Sequence, residues 1–420
     1  MKDGKNWKSI ALLSMILLIA VTVLAWITGY WVLTALPVGF LFGFFLEKAE
    51  LCGSSAFSEA FMMRDWRKLQ GIWVVAVVSM LGFAILSGLG LVKLNPKPLL
   101  WASYILGGLV FGIGMVLAGG CVSGSLFKTG QGNLNSMAAL VGIPLGVAAV
   151  EYGPLNGTHK ALKSLVIKNG DGSPVTLFSL TGLPYWSLAV VIAAITVGAA
   201  LYLRRTSRKS KATPDAQPRS IPFLTRALTR PWKPWQAGIL IGILASFAYL
   251  SSAASGRNYP FGVTHGPMHV KLLITETSLT HIYAPKPSPP VAAAAEQEQP
   301  SRTPTGAQAG AAKVAGEGSK KVSWWLMLEV CALVLGSFVS ARFTGRARLS
   351  PKPPEQTVIA FFGGLMVGTG AAIAGGCVVG NIMSGLALMS VGNAIFAVVV
   401  LLANWGTTYF YMMGRQLPGR

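Results

Sequence analysis

The chain has 420 residues, of which 52% are hydrophobic and 12% charged, with a formal net charge of +21. Soluble globular domains carry roughly 25% charged residues, so the composition excludes one and points to a polytopic membrane protein. The basic excess would suggest nucleic acid in a soluble chain, but its placement between apolar windows assigns it to membrane topology and anionic lipid.

Apolar windows of about 20 residues cross a bilayer as helices. Candidates run over 9–29, 31–46, 71–91, 100–118, 136–152, 185–203, 236–254, 323–341, 357–375 and 386–411. The first follows MKDGKNWK and has the look of a signal-peptide core. It is long for one, and no small-x-small cleavage site follows, so it is expected to stay as a helix. The second window is short and contains Pro37, and is not expected to span alone. The expected fold is therefore an all-α polytopic membrane protein of nine or ten spans.

With the amino terminus cytoplasmic and ten alternating spans, the stretch 204–234 faces the cytoplasm with Arg204, Arg205, Arg208, Lys209, Lys211, Arg219, Arg226, Arg230 and Lys233. Arg64, Arg67, Lys68, Arg342, Arg346, Arg348, Lys352, Arg415 and Arg420 fall on the same side. The opposite face collects sparser, mixed charge, including Glu276, Glu296, Glu298 and Glu317. This is the positive-inside bias. The chain then divides into an amino-terminal helix (1–30), a first half (31–152), an external segment with a linking helix (153–203) and a basic cytoplasmic linker (204–234). A second half starts at 235–254, is interrupted by an external insertion (255–322), resumes over 323–412 and ends in a cytoplasmic tail (413–420). The middle of the insertion is biased to Pro, Ala and Gly and is expected to be disordered; GRNYPFGVTHGPMHVKLL before it is expected to be ordered.

The two halves repeat. AGGCVSG at 118–124 returns as AGGCVVG at 374–380. At that offset Gly107, Gly108, Gly112, Gly114, Gly119, Gly120 and Gly124 fall on Gly363, Gly364, Gly368, Gly370, Gly375, Gly376 and Gly380. PVGFLFGFFLEKAELCGS at 37–54 aligns with QAGILIGILASFAYLSSA at 236–253, putting Cys52 on Ser251. The window 100–118 runs inward and 357–375 outward, so the copies read as inverted-topology repeats with re-entrant Gly-Gly-Cys hairpins. Such repeats are a signature of transporters, with the site near the midplane. The bland alternative is a pair of generic small-residue helix contacts.

Irregular backbone at membrane depth survives only against protein or a water-filled cavity. A glycine pair lets the backbone approach closely, and a following helix start aims N–H groups at an anion. A thiol adds a weak donor with a soft, polarizable sulfur. Cys52, Cys121 and Cys377, each in a Gly/Ser-rich break, are the candidate path residues, supported by Gly53, Gly119, Gly120, Gly375 and Gly376. Cys331, mid-window in LEVCALVLG, is expected to be an ordinary core residue.

ELCGSSAF, LAGGCVSGSLFKTGQGNL and IAGGCVVGNIMSGLALMSVGNAIFAVVV resemble the YeeE/YedE membrane proteins, thiosulfate transporters of bacterial inner membranes. The resemblance covers about 30–150 and 235–412. It implies an hourglass of inverted halves in which Cys52, Cys121 and Cys377 pass thiosulfate by transient S–H contacts, without a cofactor. It also implies a cytoplasmic sulfur carrier of the TusA type as partner. Gln131 in TGQGN departs from the glutamate of many relatives, and the insertion 255–322 is unusual.

Other readings weighed are a carrier or channel for another small sulfur or selenium anion, and a membrane sulfurtransferase with one nucleophilic cysteine. The chain has no CxxC motif and no histidine placed as a base, which disfavours the enzyme. A metal site is disfavoured too, because in HGPMH the Gly266–Pro267 pair should spoil a helical face and no acidic partner is near in sequence. Glu47, Glu50 and Glu59 are the only carboxylates that suggest a proton relay.

Overall fold

The computed structural model describes residues 7–170, 172–208, 228–277, 279–282, 320–351 and 353–413. Much of the basic linker, most of the external insertion and the tail from 414 lie outside these residues. Ten segments among those described are helical, long and apolar enough to cross a bilayer. In chain order the helices are α1 (Trp7–Thr28), α2 (Ala35–Ala49), α3 (Gly53–Met62), α4 (Arg67–Gly88), α5 (Trp101–Leu117), α6 (Val122–Gly130) and α7 (Leu134–Glu151). Then come α8 (Asn156–Ser164), α9 (Leu177–Thr181), α10 (Tyr185–Arg208), α11 (Pro234–Ala254) and α12 (Gly266–Thr275). After two short parallel strands, β1 (Leu279–Ile282) and β2 (Lys320–Ser323), follow α13 (Trp324–Thr344), α14 (Pro354–Ile373), α15 (Ser384–Ala387) and α16 (Val391–Thr408). The protein is an all-α polytopic membrane protein.

Two windows differ from their helices for local reasons. Pro37 interrupts nothing, because it lies in the first turn of α2, where its missing N–H has no intrahelical acceptor to lose. The apolar segment is one candidate span from Trp31 through α3. The window expected from 386 is split between the end of α15 and α16, which starts at Val391, because Met389 sits at φ +55° and breaks the backbone.

Besides α8 and α9, four helical pieces among the described residues are too short to cross. α3 and α12 have 10 residues and α6 has 9. The fourth is a π-helical turn, Val378–Met383, running into α15. At 1.5 Å per residue such a piece reaches about 15 Å, half of a roughly 30 Å hydrocarbon core.

Glycine sets how the long helices meet. α2 lies against α13, where a Cβ at Gly39 would meet the Glu329 backbone and one at Gly43 the Leu333 backbone. α11 lies the same way on α4, Gly238 over Gly71 and Gly242 over Val75 and Val78. α7 packs on α14, and α5 on α16. At the centre α5 and α14 cross: Gly107 faces Gly370 and Ala374, while Gly114 faces Gly363 and Val367. Rising numbers on one helix meet falling numbers on the other, so the two run antiparallel. Positions 107 and 114 are those the sequence alignment equates with 363 and 370, so this contact maps onto itself when the halves are exchanged.

The outside is apolar. Leu12, Leu13, Ile16 and Leu17 of α1, and Val190, Ile195 and Leu201 of α10, are exposed, as helices facing hydrocarbon require. Cys331 belongs to this surface. It is exposed rather than a core residue, because α13 turns its other face to α2.

Candidate functional site

Cys52, Cys121 and Cys377 each stand directly before a half-length helical piece, in extended backbone, and all three are fully buried. An extended residue at that position opens the first turn, leaving the N–H groups of the following residues without intrahelical acceptors. None of the three cysteine side chains caps those amides. The Cys52 and Cys121 sulfurs are 4.0 Å apart, and Cys121 Sγ is 3.3 Å from Ser123 Oγ. The third motif closes on the first: a Cβ on Gly53 would stand 2.7 Å from the Val378 side chain. Gly124 is pinned by the same convergence, since a Cβ there would collide with Cys52 Sγ. The fold thus gathers three cysteine turns from separate parts of the chain, with one thiol pair in near contact.

The two Gly-Gly-Cys turns share their geometry. Gly119 and Gly375 both adopt φ +65°, a left-handed conformation that ends the preceding helix. Each turn also carries a lysine that the sequence did not single out. Lys128 Nζ donates to Gly119 O (2.6 Å), and Lys97 Nζ donates to Gly375 O (2.6 Å) and to Asn381 Oδ1 (2.7 Å). Asn381 Nδ2 in turn donates to Gly376 O (2.9 Å). Lys97 lies in the loop between α4 and α5. Burial, with Arg257 second, pulls its ammonium down to about 7. Nothing in LNPKP signals this contact; only packing brings it to residues some 280 positions away.

The second half has no cysteine equivalent to Cys52. Ser251, its partner in the sequence alignment, lies inside α11 and accepts a hydrogen bond from Trp325 Nε1 (2.8 Å). The pairing fails there because α11 continues to Ala254, six residues longer than α2. α12 is a 10-residue piece like α3, and Thr264 just before it receives the Cys377 N–H (3.0 Å).

HGPMH is also corrected. Gly266 and Pro267 open α12 rather than break it, Pro being favoured in a first turn. An acidic partner exists: His265 Nε2 is 2.7 Å from Glu151 Oε1 at the end of α7. Glu329 is a further carboxylate missed in sequence, fully buried within α13. Glu47 is buried as well, accepting from Ser340 Oγ (2.5 Å), Thr344 Oγ1 (3.2 Å) and Gln131 Nε2 (3.3 Å). Gln131 is therefore a donor to a carboxylate, a task a glutamate performs only when protonated.

Access differs around the cysteines. A cavity of about 480 Å³ opens beside Gly119, with Asn133, Asn135, Ser136 and Gln356 in its wall. A charged cleft of about 200 Å³ lies near Cys52, between Lys48, Glu50, Glu59, Lys68 and Arg346. Uncapped half-helix amides, two lysines on the turns and polarizable thiols together suit a small anion with oxygen and sulfur ends.

The chain is similar to known membrane transport proteins over most of its length. The family described as sulphur transport matches residues 48–406. The thiosulfate transporter TsuA of Spirochaeta thermophila is 28% identical over 382 residues, which are 89% of this chain and 96% of that protein. The thiosulfate transporter TsuA of Escherichia coli is 24% identical over 389 residues, 93% of this chain and 97% of that protein. With most of its length matched, this multi-pass membrane protein belongs to the sulphur-transport family and is a transporter rather than an enzyme.

Proposed function

We propose that the chain imports thiosulfate across the bacterial inner membrane, handing it along Cys52, Cys121 and Cys377 by S–H donation. The observation that carries this reading is the 4.0 Å approach of two thiols at the starts of two half-length helices. Thiosulfate has one soft sulfur end and three hard oxygens. The thiols suit the first, while the amides of α3 and α6 and the lysines on the turns suit the second. No covalent step is needed, so sulfur stays with the ion. The names borne by the two relatives support the same substrate.

In this reading the halves are inverted repeats related by the α5–α14 crossing, and both termini are cytoplasmic. The basic residues of 204–234 and 342–352 support that orientation. A soluble sulfur carrier of the TusA type is the natural cytoplasmic recipient, on the side of the charged cleft near Cys52.

The test is uptake of sulfur-35-labelled thiosulfate by cells lacking other sulfur importers, with labelled sulfate as control. Expression of the chain is expected to restore thiosulfate uptake and leave sulfate excluded. Equal uptake of both ions, or of neither, contradicts the proposal.

A further inference from the structure

Glu329 lies one turn into α13, fully buried, and neither carboxylate oxygen has a hydrogen-bond partner in good geometry. α2 closes one side, where Gly39 rides on the Glu329 backbone. Arg257, in the loop after α11, is the cation that acts on it. Its guanidinium stacks over Trp325, one helical turn from Glu329, at 5.3 Å. It donates instead to Pro260 O (2.6 Å), Tyr259 O (3.0 Å) and Ser252 Oγ (3.3 Å). A carboxylate and a guanidinium thus share a buried pocket with no ion pair between them among the described residues.

A carboxylate at membrane depth needs either a proton or a cation. This pocket offers both, and they exclude one another. With Arg257 drawn to Glu329, the carboxylate is ionised. With Arg257 drawn to an incoming anion, Glu329 must take a proton. The anion path is close, because Tyr259, beneath the Arg257 guanidinium at 5.6 Å, donates its hydroxyl to Gly380 O (2.7 Å) just past Cys377.

We propose that Glu329 is a proton-coupling residue, taking up a proton as each anion engages Arg257, so that inward movement of the anion is accompanied by a proton. The inference rests on the import reading above. In this proposal the proton arrives along α12, which packs on α13 with Gly266 against Leu326 and Val330. The half-exposed His265 pairs with Glu151 of α7, and its ring lies 6.4 Å from that of the buried His269. Burial first, and His265 second, holds the His269 imidazole down at about 4. It is therefore neutral at ordinary pH, able to accept at one nitrogen and donate at the other. The groups that face Glu329 and Arg257 are Tyr259 and the Gly262 backbone from the loop, Ser252 from α11 and Trp325 from α13, with His269 of α12 within electrostatic reach of Arg257 and the His265–Glu151 pair beyond it. Arg257 in turn helps to hold the Lys97 ammonium down, after burial, so Lys97 is a second group that titrates near the path.

The test uses the full chain in proteoliposomes, with labelled thiosulfate and a pH electrode in a weakly buffered exterior. Wild-type uptake is expected to fall as external pH rises, by up to about tenfold per pH unit for one linked proton. Adding thiosulfate is expected to make the exterior more alkaline. Glu329→Gln, a neutral stand-in for the protonated acid, is expected to take up thiosulfate at the acid-limit rate at every pH, without alkalinisation. Lys97→Arg, charged throughout, is expected to lose the lysine's own share of the pH dependence and to keep the slope and the alkalinisation that Glu329 supplies. A flat wild-type profile, or uptake without alkalinisation, overturns the inference whether or not the variant assembles. A Glu329→Gln protein with the wild-type slope, or a Lys97→Arg protein with none, overturns it as well. Absence of uptake at any pH removes the import reading, and this inference with it.

Discussion

Cys52, Cys121 and Cys377 are proposed to act as donors in series, and their substitution separates this from nucleophilic chemistry. Losing one hydrogen bond to an anion costs about 1.5–3 kcal/mol, roughly ten- to a hundredfold in rate. Cys→Ala at each position is therefore expected to lower labelled-thiosulfate uptake by that factor. Cys→Ser keeps a donor of similar size, harder and shorter in reach, and should retain partial uptake at one or more positions. A nucleophile would leave serine as inactive as alanine at one position, with a persulfide detectable there by mass spectrometry. Cys331→Ala is the control; on the lipid-facing side of α13, it should transport normally. The three cysteine breaks were legible because a Gly-Gly-Cys or Cys-Gly-Ser sequence in an apolar stretch is a local signal; their role on a path is the proposal. Lys97, Thr264 and Arg257 were not, because each acquires its role from a partner far away in sequence. Glu329 was hidden differently: one carboxylate in LEVCALVLG is silent until packing shows it buried without a well-formed hydrogen bond.

The turns make separable predictions. At Gly119 and Gly375 a Cβ would meet nothing within 4 Å, so Gly→Ala there costs only the left-handed conformation, about 1–2 kcal/mol. At Gly376 a Cβ would lie 2.6 Å from Asn381 Oδ1 and 3.0 Å from Lys97 Nζ, breaking the contacts that hold the turn. At Gly120 the nearest atom is Ser125 N, 3.2 Å away. Gly120→Val and Gly376→Val are expected to abolish uptake while the protein still reaches the membrane, Gly376→Val being the less thermally stable in detergent. Near-normal uptake by both would reduce the turns to packing elements. Helix positions were readable where glycine, proline or charge bounds the window, as with 100–118 against Trp101–Leu117, and less so elsewhere, as with 71–91 against Arg67–Gly88. The unequal forms of the two half-helices were not. VSGSLFKTG folds as α-helix whereas VVGNIM folds as a π-helical turn, and the shared motif before them carries no information about that difference.

For the molecule as a whole, orientation decides whether the two turns open to opposite sides. Epitope tags within 204–234 and within 255–322 are expected to be protected and accessible, respectively, in intact spheroplasts. Both tags on one side would contradict the inverted-repeat reading. Direction also has an energetic consequence. Moving a dianion into an inside-negative cell costs about 4–5 kcal/mol per 100 mV, at roughly 2.3 kcal/mol per charge. Accumulation therefore needs a coupled cation or a chemical sink for the ion inside.

The proposed function requires that this chain by itself move thiosulfate along its buried cysteines. The direct measurement is counterflow of sulfur-35-labelled thiosulfate into proteoliposomes loaded with unlabelled thiosulfate, where no net charge movement or partner protein is required. The wild-type chain should exchange thiosulfate and not sulfate, and the protein with Cys52, Cys121 and Cys377 all changed to Ala should exchange neither. Exchange by the triple variant at the wild-type rate, or sulfate exchanged as fast as thiosulfate, would contradict the account.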